Sequence, residues 1–296
     1  MLHAHLLIWG FLVWLVSLGQ VQAQEITDVV KRAFKVWSGG RLSVEIDRGS
    51  LEVVTTSESM VYVEVIRIVD VARTEEAQRL LQHHRLDLRQ EDNQVVITSA
   101  LTDDRDGPFW RRRRSPVQVR IRVRVPQRFA VSFSSDAGNI EIRDVEGTVM
   151  GQTGAGNISL HNLRGTVEIK TGAGNLEAHN LEGYLRAETG AGNITAKGLM
   201  GGAELNTGAG NITVEWAAAP TKDSRCRSGA GNVTIYVGSN AAFTLRASTG
   251  IGSISTDFAV HVDRSWISAS AHGEVNGGGP TLQVETGLGN IAVRRV

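Results

Sequence analysis

A chain of 296 residues with 31 Lys and Arg against 31 Asp and Glu has no net charge, so bulk electrostatics points to no polyanionic partner. A single cysteine, Cys226, excludes an intramolecular disulfide and any cysteine-built metal site. Thirty-three glycines against five prolines fit a β-protein with many tight turns.

Residues 1–23 read as a signal peptide. The apolar run from Leu6 to Leu18, broken by Gly10 and Ser17, is too short to span a bilayer comfortably and ends in Val21-Gln22-Ala23, a small-residue pattern suited to cleavage before Gln24. The segment before the run has His3 and His5 in place of Lys or Arg. No cysteine follows it, which argues against a lipoprotein, and no second apolar span appears. The expectation is an exported chain with no transmembrane span after cleavage, placed in the periplasm, at the cell surface or outside the cell.

Residues 24–130 read as an N-terminal β-region. Leu42, Val44 and Ile46 alternate with polar neighbours, Gly49 turns, and Leu51 and Val53 resume; Val61, Val63 and Val65 make a further strand. Thr74 followed by Glu75 and Glu76 opens a short helix over about 74–84, with Ala77, Leu80 and Leu81 as its apolar stripe. Strands return around Leu86–Leu88 and Val95–Ile97. A basic loop over 102–115 precedes a strand whose Val117, Val119, Ile121, Val123 and Val125 face one way. Its Arg120, Arg122 and Arg124 face the other. With Trp110, Arg111, Arg112, Arg113 and Arg114 they form a candidate dock for an anionic envelope polymer, phospholipid head groups or an acidic protein. The competing reading is a solvated face and loop balanced by Asp103, Asp104 and Asp106. Nucleic acid is not an expected partner, since the chain reads as exported and lacks interleaved aromatics.

From 131 to 296 the chain repeats itself. The letters TGAGN stand at 153–157, 171–175, 189–193 and 207–211, with degenerate copies at 135–139, 228–232, 249–253 and 286–290. The period is 18 residues from Asn139 to Asn211, then 21, 21 and 37. Between the turns, Ile158 and Leu160 alternate with Ser159 and His161, and Val167, Ile169 and Thr171 with Glu168 and Lys170, so each unit is two short strands and two turns. A fixed period of this kind predicts a parallel β-solenoid with two-strand rungs of about 18 residues. Stacked in sequence order, like meets like: Ile140, Ile158, Leu176, Ile194, Ile212, Val233, Ile254 and Ile291 share an inward column, and Val145, Leu163, Leu181 and Leu199 another. Thr153, Thr171, Thr189 and Thr207 make a third. The turn residues Asn139, Asn157, Asn175, Asn193, Asn211 and Asn232 are expected to form an amide ladder, each side chain bonded to its copies above and below, a structural role rather than a ligand site. Cys226 falls in the inward column of Ile169, Ala187 and Leu205 and reads as a small buried hydrophobe.

On the outer face Glu168, Arg186 and Glu204 alternate in sign, and Lys170 sits beside Glu188. One column is basic, with Arg143, His161, His179 and Lys197 before Glu215, and is a second candidate anion site. Two histidines in a row, with no carboxylate in their column until Glu215, are too few for a metal. The 216–220 and 238–242 segments read as bulges, and residues 258–279 as an insertion protruding from the stack, where binding tends to live. An open stack leaves strand edges unpaired at its ends, so the N-terminal region is expected to cap one of them.

Several apparent motifs are by-products of the repeat. Asn157, Asn193, Asn211 and Asn232 match the N-glycosylation pattern inside the turn column. The Gly-Ala-Gly runs precede no helix and are not a dinucleotide fingerprint. Calcium β-rolls need an Asp two residues past the last glycine, where this chain has Ile158, Leu176, Ile194 and Ile212.

An N-terminal FKVWSGGRLSV (34–44), a strand ending in Val125-Pro126, and rungs of the form TGAGNIxLxNLxG together resemble the bacterial putative-adhesin family of exported β-solenoid domains. The resemblance covers about residues 34–296. It implies an envelope or surface protein acting as a scaffold or sensor, and it carries over no catalytic residue, cofactor or metal ligand. The residues favour a non-enzymatic binding or scaffold protein. The alternatives are a sensor in an envelope-stress pathway and a polysaccharide-active enzyme, the last disfavoured because Glu141, Glu168, Glu177, Glu188, Glu204 and Glu215 are dispersed among Thr, Lys and Arg.

Overall fold

The computed structural model describes residues 24–71, 74–101 and 117–296. The segment read as a signal peptide (1–23) and the basic loop (102–115), with Arg111, Arg112, Arg113 and Arg114, lie outside the described residues. In chain order the first elements are β1 (Gln24–Lys35), β2 (Gly40–Thr56), β3 (Met60–Val71), α1 (Thr74–Gln82), β4 (His84–Glu91), β5 (Gln94–Leu101) and β6 (Val117–Pro126). The repeats follow as β7 (Phe129–Ala137), β8 (Ile140–Arg143), β9 (Val149–Ala155), β10 (Ile158–Ala173), β11 (Leu176–Ala191), β12 (Ile194–Ala209), β13 (Ile212–Trp216), β14 (Ser224–Ala230) and β15 (Val233–Val237). The chain closes with β16 (Phe243–Ile251), β17 (Ile254–Thr256), β18 (His261–Arg264), β19 (Ala269–Val275), β20 (Thr281–Leu288) and β21 (Ile291–Arg295).

The central rungs stack in parallel at the period of the sequence. β10 lies on β11 with Ile158 opposite Leu176, Val167 opposite Leu185 and Thr171 opposite Thr189, and β11 lies on β12 in the same register. Two-residue alternation sends Ile158, Leu160, Val167 and Ile169 inward, where each is buried, and their neighbours outward. Leu163 and its equivalents Val145, Leu181 and Leu199 fill the corner between the two strand segments of a rung and are buried as well.

Two corners turn each rung. At one, Asp144, Asn162, Asn180 and Gly198 all take the left-handed backbone conformation, with φ of 62°, 55°, 55° and 68°. At the other stands the Gly-Ala-Gly turn. Gly174 there has φ 150°, and a Cβ on it would lie 2.1 Å from the carbonyl oxygen of Gly156 one rung away. Only glycine lets the stacked turns approach so closely.

The ends of the stack depart from sequence order. The rung β14–β15 is followed in space by β20–β21, and only then by β16–β17. The inward column therefore runs Val233, Ile291, Ile254, which corrects the sequential stacking expected from the sequence. Residues 258–279 do not protrude as a loop either. They supply β18 and β19, and β19 pairs antiparallel with β16, with Phe243 opposite Val275, while β18 pairs with β19. The supposed insertion is a cap over the last rung.

The other end uses the same device. β2 runs the full length of a rung between β5 and β6 on one side and β7 and β8 on the other, parallel to all four. β3 then pairs antiparallel with β6, β1 with β3, and β4 with β5. The stack thus continues across residue 130 without a break, and antiparallel strands close both ends. Antiparallel closure ends the parallel run, so a further rung has no matching edge to extend.

Candidate functional site

The turn column is hydrogen-bonded from rung to rung, in a form different from the amide ladder expected. Oδ1 of Asn139 accepts the backbone N–H of Asn157 at 3.0 Å, and the same bond links Asn157 to Asn175, Asn175 to Asn193 and Asn193 to Asn211. Asn232 continues the series, accepting from Asn290 at 2.8 Å. The amides bond to backbone and not to one another. A true side-chain ladder lies at the opposite corner, which sequence reasoning passed over. Asn162 Nδ2 donates to Asp144 Oδ1 at 2.9 Å and Asn180 Nδ2 to Asn162 Oδ1 at 3.0 Å. The clue was present in the Asp-Asn-Asn series at 144, 162 and 180, residue types that tolerate positive φ.

The threonine column satisfies turn carbonyls from inside. Thr171 Oγ1 donates to the Gly156 carbonyl at 3.0 Å, Thr189 to Gly174 at 3.0 Å and Thr207 to Gly192 at 2.9 Å, all from buried positions. Thr153 bonds within its own turn, to the Ala155 carbonyl at 3.3 Å. Cys226 sits opposite Leu205, wholly buried, and burial pushes its thiol up to about 12, which leaves it in the unreactive protonated form.

The basic residues named from the sequence converge in part. Arg124 pairs with Val54, and Ile142, one residue before Arg143, pairs with Val53. Arg143 pairs in turn with His161, His161 with His179, and His179 with Lys197. Arg124, Arg143, His161, His179 and Lys197 therefore share one outward column, separated by one strand spacing of about 4.8 Å except where Val54 intervenes. The two imidazoles stack face to face, with centroids 5.2 Å apart and planes 5° from parallel. Arg124 lies over the Tyr62 ring at 4.8 Å. Glu141 beside the column holds Arg143 in an ion pair. Arg122 stands in the neighbouring outward column and is bound by Glu52 at 3.3 Å and Glu64 at 3.8 Å. Lys31, with Arg122 and Arg124 nearby, holds the Glu64 carboxyl below its ordinary range. Arg120, Arg122 and Arg124 all point outward from β6, while Val117, Val119, Ile121, Val123 and Val125 are buried.

The strand segment that leads into each Gly-Ala-Gly turn presents a different surface. An open groove of about 1200 Å³ crosses the stacked rungs there, floored by Gly154, Gly172 and Gly190 and walled by Lys170, Glu188 and Arg227. Its charges cancel locally, Lys170 with Glu188 at 3.1 Å and Arg227 with Glu285 at 2.7 Å. Glu168 and Glu204 flank Arg186 at 4.0 and 3.9 Å. Among the described residues, no group of three or more His, Cys, Asp or Glu is placed to hold a metal ion.

A family model described as Toastrack DUF4097 matches residues 41–294. Among solved structures, a putative adhesin from Bacteroides fragilis NCTC 9343 is similar at 12% identity, with 91% of this chain and 97% of that one covered and a TM-score of 0.46. A putative lipid binding protein from Parabacteroides distasonis ATCC 8503 is similar at 13% identity, with coverage of 91% and 97% and a TM-score of 0.45. A putative cell adhesion protein from Clostridium sporogenes ATCC 15579 is similar at 10% identity, with coverage of 93% and 100% and a TM-score of 0.27. No curated protein matches the chain.

Proposed function

The chain belongs to the Toastrack DUF4097 family, and on that premise we propose that it is an exported, non-enzymatic surface or envelope protein of adhesin type. In this reading the rod is a scaffold that docks an anionic envelope partner along one face. The observation that carries it is the column Arg124, Arg143, His161, His179 and Lys197, which presents basic side chains at the repeat of the stack. A partner with regularly spaced negative charge meets such a row many times over, and each weak contact adds to the others. Arg111, Arg112, Arg113 and Arg114 closely precede β6 in sequence and bring four further positive charges to this proposal.

The non-enzymatic reading draws on the outward carboxylates. Glu141, Glu188 and Glu204 are each engaged by a basic neighbour and dispersed over the surface rather than set as an acid and base facing one bond. No helix among the described residues is long and apolar enough to cross a membrane.

Binding of the chain from Gln24 onward to envelope fractions and to a purified phosphate-bearing polysaccharide tests the proposal. Arg143→Gln with Lys197→Gln should weaken binding about ten-fold, as should replacing Arg111–Arg114 by Gln, and added salt should weaken the wild-type complex. Arg89→Gln, on β4 and away from the column, should leave it unchanged. Equal binding by wild type and the column variant, or no binding to any envelope fraction, would overturn it.

A further inference from the structure

The cap described above ends in an apolar point. β18 and β19 meet in a four-residue tip, Ser265-Trp266-Ile267-Ser268, closed by a bond from the Ser265 N–H to the Ser268 carbonyl at 2.9 Å. Trp266 is 103% exposed and Ile267 64%. The Gly252 N–H donates to the Ile267 carbonyl at 2.9 Å, which fixes the tip against Ile251, and Ile251 pairs with Leu288. These last two are 55% and 52% exposed. Equivalent positions in the preceding rungs hold Ala230, Ala209, Ala191 and Ala173, so the outward row is small through the middle of the rod and turns to large apolar residues at this end.

Single exposed apolar residues are ordinary, but four large ones joined by backbone contacts at the end of a rod are not. A second copy is a poor occupant. The four residues offer on the order of 500 Å², an aromatic contributing at most about 250 Å² of it. A stable interface takes about 800 Å² per partner. Trp266 is also fully exposed rather than set in a pocket that a complementary surface could fill. A lipid surface needs no such complement. Indole places its ring among the outer acyl carbons and its N–H at head-group level, and isoleucine beside it follows the ring. The flanking charges cancel. Arg264 adjoins Asp263, and Asp263 is bound to the His261 imidazole at 2.9 Å, so the attraction is apolar rather than electrostatic.

We propose that Trp266 and Ile267, backed by Ile251 and Leu288, form a membrane-interface anchor that seats this end of the rod in the outer layer of a phospholipid bilayer. The site is separate from the basic column and does not depend on that reading. Phosphatidylcholine vesicles carry no net charge, so the column adds nothing to binding there and the two proposals fail independently.

The test is co-sedimentation of the chain from Gln24 onward with phosphatidylcholine vesicles, together with quenching of tryptophan emission by brominated phosphatidylcholine. Wild type should bind in high as in low salt, and its emission should be quenched. Trp266→Ser with Ile267→Ser should partition at least ten-fold more weakly and lose the quenching. Trp37→Ser, at the other end of the stack and 60% exposed, should bind as wild type does. Both variants alter exposed side chains, and an unchanged melting temperature confirms that each is folded. Failure of wild type to bind, equal binding by the double variant, or a tip-dependent dimer in sedimentation velocity would each overturn the proposal.

Discussion

Deleting residues 280–296 removes the rung that was inserted out of order. β20 and β21 lie between β14–β15 and β16–β17 and pair with both neighbours. Leu282, Val284, Ile291 and Val293 are each 0% exposed. At about 1.5–3 kcal/mol per buried aliphatic side chain, they contribute on the order of 10 kcal/mol. That is as large as the whole stability of many domains. In a stack where each rung touches only its neighbours, however, the loss is local. The last rung and its cap, residues 243–275, should then detach, while β10, β11 and β12 stay folded. Hydrogen exchange read by mass spectrometry, with limited proteolysis beside it, distinguishes the outcomes. In the truncated chain, amides of 243–275 should exchange within minutes and those of 158–209 at the wild-type rate. A peptide of residues 280–296 added in trans should restore protection to 243–275. Undiminished protection of 243–275 would refute the reasoning, because it would mean that β16 had closed directly onto β14. Collapse of the whole stack would refute it equally, by showing that the rungs are not thermodynamically separable.

Gly174→Ala puts a Cβ 2.1 Å from the Gly156 carbonyl oxygen at φ 150°, and should cost at least about 2 kcal/mol in chemical denaturation; a neutral result would show that the turns can spread. Thr189→Val keeps the shape of a buried residue and removes its 3.0 Å bond to the Gly174 carbonyl, for a loss of about 1 kcal/mol in the same assay. His84 is held below its ordinary value of 6.5 by burial first and by Arg67 second. The folded state therefore resists a proton that the unfolded chain accepts, and stability should be full above about pH 6.5 and decline as pH falls below it. Denaturation midpoints between pH 5 and 8 should show this slope in wild type and a flatter profile in His84→Gln.

How far the fold could be read beforehand depended on whether the information was local. The alternation of Ile158, Leu160, Val167 and Ile169 named the buried faces, and the exact return of TGAGN every 18 residues fixed the register of β10 on β11 and β11 on β12. Hydrogen-bond direction was not legible. The residue type of Asn157 shows that it needs a partner, whereas its partner, the Asn175 N–H, depends on the orientation of the turn. The candidate basic column could be listed rung by rung from the period, but its extension to Arg124 could not. That residue joins through Val54 on β2, a strand far away in sequence.

By itself the sequence determined the rung, its corners and its inward columns, because these follow from alternation, from glycine's freedom at positive φ and from an unbroken period. Only the tertiary structure decided the order of rungs at the two ends. The turns around Gly231, Gly252 and Gly289 present nearly the same backbone and the same Thr or Ser hydroxyl bond, so any of them can stack on any other. Which neighbour each one takes is settled by the antiparallel cap that β19 lays across β16, a contact between segments whose local patterns do not mention each other.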